Sequence, residues 1–141
     1  MQYRPYGSTG RNVSMLGFGA MRLPQLEDGT CDYEASVPLL RRGIDLGINY
    51  IDSARGYISG TSEVAVGRAI KGYDREKLFL VTKIPSNDIK NSVGREWRRQ
   101  LEEQLGRFDM DYIDLILFHG LRWDAFGEHA SKPGYALEAA R

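Results

Sequence analysis

Apolar residues fall into a repeating rhythm along this chain. Short β-branched or aromatic runs, read as strands, alternate with longer segments whose apolar positions recur every three or four residues, the period of a helix lying on a core. The opening "YRPYGSTGRNVSM" has strand-like ends around Gly7 and Gly10 and predicts a hairpin. "MLGFGAM" predicts a first strand. A helix from about residue 33 to 46 follows, with Asp32 as its N-cap, Gly47 as its stop, and Val37, Leu40 and Ile44 on one side. "NYIDS" predicts the second strand, after which Ser62 caps a helix carrying Val64, Gly67, Ala69 and Ile70 and ended by Gly72. "LFLVTK" predicts the third strand. After a loop with Pro85, the segment from about residue 92 to 107 places Val93, Trp97, Leu101 and Leu105 four apart on an amphipathic helix. "DYIDLILFHG" predicts the fourth strand and "YALEAAR" the start of a further helix.

Strands alternating with helices imply right-handed βαβ crossovers and a parallel α/β sheet. An open doubly wound sheet and a (β/α)8 barrel both satisfy this. The dinucleotide fingerprint of the open fold is missing, because "GFGAMR" has Gly17 and Gly19 but Arg22 where a third glycine belongs. A whole barrel takes about 250 residues, and the 141 residues here carry about four βα units. The expected fold is therefore the N-terminal half of a parallel (β/α)8 TIM barrel preceded by a β-hairpin, with 1–141 forming one partial domain. Half a barrel exposes the edges of its first and fourth strands. The chain is accordingly expected to be a fragment of a longer protein or to self-associate through those edges.

Composition narrows the partners. Nineteen Lys+Arg balance nineteen Asp+Glu, so no net field attracts nucleic acid or anionic lipid, and a small molecule is the better ligand class. Cys31 is the single thiol, which excludes an intrachain disulfide and a cysteine metal cluster and fits a reducing cytoplasm. The polar N-terminus lacks a signal-like apolar region, and no apolar run approaches the roughly 18 residues of a membrane span. His129 has no suitably spaced second ligand, so no metal site is expected.

In parallel α/β folds, reacting groups collect at the carboxyl ends of strands. The second, third and fourth predicted strands end in Asp52, Lys83 and His119, spaced 31 and 36 residues apart, about one βα unit per step. Tyr57 lies in the loop after Asp52. Taken singly, each has a plainer reading: a solvated strand end or helix cap, a surface lysine, a satisfied core histidine, a half-buried packing tyrosine. Together their chemistry is complementary. A lysine ammonium favours a neighbouring phenolate, a paired aspartate holds the cation, and an imidazole can donate to the same substrate oxygen. A phenol so placed can act as general acid, an effect of roughly 10² to 10⁴ in rate. A Schiff-base role for Lys83 is the competing chemistry; an aspartate that keeps the amine protonated works against it.

At these residues the chain resembles the aldo-keto reductase family, through "LGFGAMRLP", "DLGINYIDSARGYISGTSEVAVGRAIKG", "FLVTK" and "LGRFDMDYIDLILFHG". The resemblance implies a TIM barrel that uses NADP(H) to reduce a small-molecule carbonyl substrate, an aldehyde or ketone. It makes Tyr57 the proton donor, with Asp52, Lys83 and His119 completing the catalytic set, and puts Gly19, Ala20, Met21 and Asp52 beside the nicotinamide ribose. Ser53 stands where threonine is commoner, and "HGLRW" where many relatives have His-Trp, so a different substrate wall is expected. The tail "SKPGYALEAAR" is similar to a bacterial subgroup whose longer members end in a ferredoxin-like segment; without its cysteines, no cluster is expected here. A truncated, non-catalytic barrel acting as a binding module is the alternative function. "REWRRQLEEQLGR" reads as a solvated helix face with opposite charges four apart, and Trp123 as a loop aromatic packed on its own backbone rather than a substrate lid.

Overall fold

The computed structural model describes residues 1–85 and 94–123. Strands β1 (Tyr3–Pro5) and β2 (Asn12–Ser14) pair antiparallel as the expected hairpin. A four-stranded parallel sheet follows, made of β3 (Phe18–Gly19), β4 (Tyr50–Asp52), β5 (Phe79–Pro85) and β6 (Leu115–His119) in chain order. Helices α1 (Tyr33–Asp45), α2 (Ser62–Ile70) and α3 (Gly94–Phe108) carry the chain from each strand to the next. Neighbours in space that are also neighbours in sequence, with no reversal of order, are the pattern of a barrel wall rather than of a doubly wound sheet. The architecture is the N-terminal half of a (β/α)8 barrel behind a hairpin. Among the described residues no helix is long and apolar enough to cross a membrane.

Period-two alternation divides the sheet into two faces. On the outer face Ile51 and Leu80, paired across β4 and β5, join Leu40, Val66, Ala69, Ile70 and Phe108 in the main core. Further along, Ile84 and Trp97 pack with Leu101, Ile116 and Phe118. On the inner face Tyr50 stacks on its partner Phe79 at 5.6 Å between centroids, and Tyr6 of the hairpin closes on Phe79 at 4.9 Å. The hairpin thus plugs the pole at the amino ends of the strands, and burial there pushes the Tyr50 phenol up to about 12.

The same pole is clamped by Asp114, whose side chain is 4% exposed. Its carboxylate takes Arg11 at 3.0 Å, Arg75 at 2.8 Å and the Leu80 amide at 2.8 Å, and Arg11 also donates to the carbonyls of Glu76 and Leu78. These bonds tie hairpin, strand and loop together at the end of a barrel that serves stability.

Local signals acted largely as their chemistry dictates. Asp32 Oδ1 accepts from the Ala35 amide at 3.1 Å, and Gly47, at φ +95°, lies just past the end of α1. Three boundaries differ from expectation. The first strand is only two residues long, because the chain turns at Ala20 into a tight helical turn. Ser62 is the first residue of α2 rather than its cap; Thr61 holds the cap position without a side-chain cap bond. Strand β5 continues past Lys83 to Pro85, since β6 pairs with it along five positions. Residues 92 and 93, His129 and "YALEAAR" lie outside the described residues.

Helices α2 and α3 meet at Gly67, where a Cβ would stand 2.2 Å from the Phe108 carbonyl oxygen, a backbone atom that cannot step aside. Gly67→Ala is expected to lower the unfolding free energy by about 1–3 kcal/mol, the usual cost of overpacking. Gly106→Ala, on α3 with nothing within 4 Å of the added carbon, is expected to raise it by about 0.5–1 kcal/mol. Urea unfolding midpoints of the two variants check the contrast.

Candidate active site

At the carboxyl ends of the strands, register brings the ionisable groups onto one face. Gly19 pairs with Asp52, and Asp52 with Val81; Lys83 lies two residues beyond Val81, pairs with Leu117, and His119 lies two beyond that. Paired residues in a sheet share a face, as do residues two apart. Asp52, Lys83 and His119 therefore all point to the inner side of the sheet, climbing by two residues per strand.

The stagger lets Lys83 reach back to its neighbour. Its ammonium donates to Asp52 Oδ1 at 2.5 Å and to the Ser53 carbonyl at 2.9 Å, with the two side chains 13% and 26% exposed. Its Nζ also lies over the Tyr57 ring, 4.7 Å from the centroid, so the cation meets the π face of the phenol. The His119 ring meets Tyr57 edge-on at 5.6 Å and 83°. All four expected residues are thus brought together, with Tyr57 wedged between lysine and histidine.

The loop that presents Tyr57 is tightly wound. Its amide donates to Ala54 O at 3.0 Å, while its carbonyl accepts from the Gly60 and Ser62 amides. Ile58 and Ser59 both adopt φ +52°, the left-handed region that costs residues with a Cβ roughly 1–2 kcal/mol. A β-branched residue is rarely found there, and Ile58 is held in place by burial in the main core. Backbone strain is thus located one residue after the phenol.

On the other flank, Gly19 has open space where a Cβ would be, and Met21 is exposed. Ala20 is fully buried, and its carbonyl accepts from Ser62 Oγ at 2.8 Å. Trp123 is 89% exposed, contrary to the expectation of a packed aromatic.

Beneath the sheet lies a polar cluster that the reading of the sequence missed. Glu63 is fully buried; it accepts from Thr82 Oγ1 at 2.6 Å, Gln104 Nε2 at 2.7 Å and Arg107 at 3.0 Å. The available signal was on α3, where Gln100 and Gln104 interrupt the stripe running from Trp97 to Phe108. The exposed charges of that helix follow expectation, with Arg99 paired to Glu96 and Glu103. A cleft of about 530 Å³ bounded by Tyr3, Arg11, Tyr73 and Lys77 lies at the opposite, amino-end pole. Its cations are engaged, Arg11 by Asp114 and Lys77 by Asp74.

The strand order and the rim that joins a carboxylate, an amine, a phenol and an imidazole define a half (β/α)8 barrel with a polar mouth, and comparison with known proteins specifies its family. The aldo/keto reductase family model matches residues 15–125, and the chain belongs to that family. It is 34% identical over 125 residues to aldo-keto reductase YhdN of Bacillus subtilis, covering 84% of this chain and 38% of the relative. The holo form of aldo-keto reductase AKR11C1 from Bacillus halodurans superimposes with TM-score 0.75 at 31% identity, over 91% of this chain and 46% of that one. An aldo-keto reductase from Klebsiella pneumoniae in complex with NADPH matches with TM-score 0.69 at 29% identity, over 91% of this chain and 40% of that one. The chain therefore spans well under two thirds of the length of these relatives.

The strained tract yields opposite expectations at adjacent residues. Exposed Ser59 gains nothing from its side chain, so Ser59→Gly is expected to stabilise by about 0.5–1 kcal/mol through relief of the left-handed strain, net of glycine's entropy cost. Ile58→Gly loses core burial as well and is expected to destabilise by about 1–3 kcal/mol. Denaturant titration of the pair reads both signs.

Proposed function

We propose that this chain carries the proton-handling half of an NADP(H)-dependent carbonyl reductase, with Tyr57 as the general acid and Asp52, Lys83 and His119 as its partners. The observation that carries the reading is the placement of the Lys83 ammonium between the Asp52 carboxylate and the Tyr57 ring. Open space over Gly19, the exposed Met21 and the Asp52 carboxylate on the same side of the sheet fit a nicotinamide ribose, whose hydroxyls can donate to that carboxylate. Gly19, Ala20, Met21 and Asp52 would hold this end of the cofactor. The match to a relative solved with NADPH supports the phosphorylated form.

When bound, the cofactor supplies a hydride to the carbonyl carbon. The residues of this chain manage the oxygen. Tyr57 donates the phenolic proton to it, while Lys83, fixed by Asp52 and the Ser53 carbonyl, offers positive charge to the phenolate left behind. His119, edge-on to the same ring, is assigned the hydrogen bond to the substrate oxygen, a role that its contact with Tyr57 supports. A Schiff-base role is disfavoured, because two of the three ammonium hydrogens are already committed to oxygens.

The aldehyde or ketone is read as a small neutral or mildly charged molecule, in keeping with the balanced charge. Edge strands β3 and β6 are read as pairing surfaces for further βα units or for a second copy. A cytoplasmic setting accords with Cys31, a buried free thiol.

Tyr57→Phe keeps the ring against Lys83 and His119 and removes only the hydroxyl. Carbonyl reduction is expected to fall by roughly 10² or more, with the dissociation constant for NADPH, followed by cofactor fluorescence, changed less than about twofold because the lost group acts on the substrate. Retained turnover in this variant would refute the role of Tyr57. Absence of saturable NADPH binding to the parent chain would favour a non-catalytic half barrel.

A further inference from the structure

The first two residues of α2, Ser62 and Glu63, are both fully buried, although they open a helix. They reach in different directions. Ser62 Oγ donates to the Ala20 carbonyl at 2.8 Å and lies 2.8 Å from Ser53 Oγ. A serine hydroxyl has one proton, so Ser53 must be the donor in that second bond. A directed chain results, from Ser53 to Ser62 to Ala20, joining the residue after Asp52 to the turn after Gly19.

Glu63 points to the other strand. It accepts from Thr82 on the outer face of β5, and from Gln104, whose amide also approaches Thr82 Oγ1 at 2.9 Å and the Lys83 carbonyl at 3.1 Å. The three oxygens around this amide nitrogen fix its NH2 toward them, the two hydrogens serving two of them at a time. Arg107 balances the Glu63 charge at 3.0 Å. The pair is therefore close to neutral and lies on the far side of the sheet from Lys83, so its influence on the ammonium is through backbone position rather than field. A buried carboxylate with three donors is a costly arrangement, and here it braces the strand that delivers the lysine.

We propose that the first turn of α2 is a two-armed positioning element for the active site. One arm, Ser62, sets the Ala20 turn on the cofactor side; the other, Glu63 with Thr82 and Gln104, sets the height of Lys83 against Asp52. The inference deepens the reductase reading and rests on it for its consequence, but its test needs neither cofactor nor turnover.

Two readouts on the full chain separate the arms. Competitive acylation followed by mass spectrometry reports how firmly the Lys83 amine is held, with exposed Lys77 as internal reference. Amide hydrogen exchange across residues 20–22 reports the turn. Thr82→Val removes one donor to Glu63 and keeps its ion pair; it is expected to raise Lys83 acylation about fivefold relative to Lys77, the scale of one lost hydrogen bond, with exchange at the turn unchanged. Ser62→Ala is expected to do the reverse, speeding exchange at the turn about fivefold and leaving Lys83 alone. Glu63→Gln should exceed Thr82→Val in Lys83 reactivity; should it fail to fold, the other two variants carry the test. Both readouts moving together in each variant, or neither moving in either, overturns the proposal. Failure of NADPH to bind would count against the reductase reading and leave these results standing.

Discussion

Everything at the rim depends on an even step. Because Lys83 lies two residues beyond the partner of Asp52, and His119 two beyond the partner of Lys83, pleating returns each side chain to the inner face. A stagger of one residue at either step would send the next group outward among the helices, as a register slip exchanges the faces of a strand. The same climb sets distance. It places the lysine above the aspartate, so that a long side chain reaches back to a short one, and leaves Tyr57 room between lysine and histidine. Tilted strands are how a barrel closes; here the closure geometry and the assembly of the site share one cause.

The two poles divide the work. At the amino ends, charge is consumed in holding parts together: Asp114 takes two arginines and an amide, and the Tyr6, Tyr50 and Phe79 rings fill the interior. At the carboxyl ends, Lys83 is paired with Asp52 at the rim, and further polar bonds brace the strand from behind. Ser62 and Glu63 are adjacent in sequence, yet they serve the Ala20 turn and the Lys83 strand respectively. Helix α2 thus contributes to the core through Val66, Ala69 and Ile70 and to the site through its first turn.

The alternation of strand and helix was legible because apolar period is a strong local signal: Leu40, Ala69, Ile70 and Trp97 are buried where the expected stripes put them, while Val66 and Phe108, outside those stripes, are buried as well and Val64, Leu101 and Leu105 are only half-buried. The site was legible as far as strand ends could be located, since Asp52 and His119 do end their strands. Other features depended on contacts that spacing does not encode. Strand β5 runs past Lys83 because β6 offers partners up to His119, and an edge of that length is a property of the sheet. Ser62 has the composition of a cap but finds the Ala20 carbonyl, 42 residues away, as acceptor. Glu63 looks like a first-turn acid favoured by the helix dipole, and only the folded chain shows Thr82, Gln104 and Arg107 converging on it. The left-handed Ile58 is likewise invisible in sequence, where a β-branched residue argues for extended backbone.

The character of Lys83 follows from its surroundings more than from its type. A lysine that is to attack a carbonyl must be free to lose its proton and to turn its lone pair toward the substrate. This one donates to a carboxylate and to a backbone carbonyl, and its remaining direction is toward the face of a tyrosine ring. Both oxygens belong to consecutive residues, Asp52 and Ser53, and the Ser53 hydroxyl is itself tied into α2. Moving the ammonium would break the bonds to Asp52 Oδ1 and the Ser53 carbonyl together. Such a cation serves as a fixed charge whose value lies in where it stands, between the Asp52 carboxylate and the face of the Tyr57 ring.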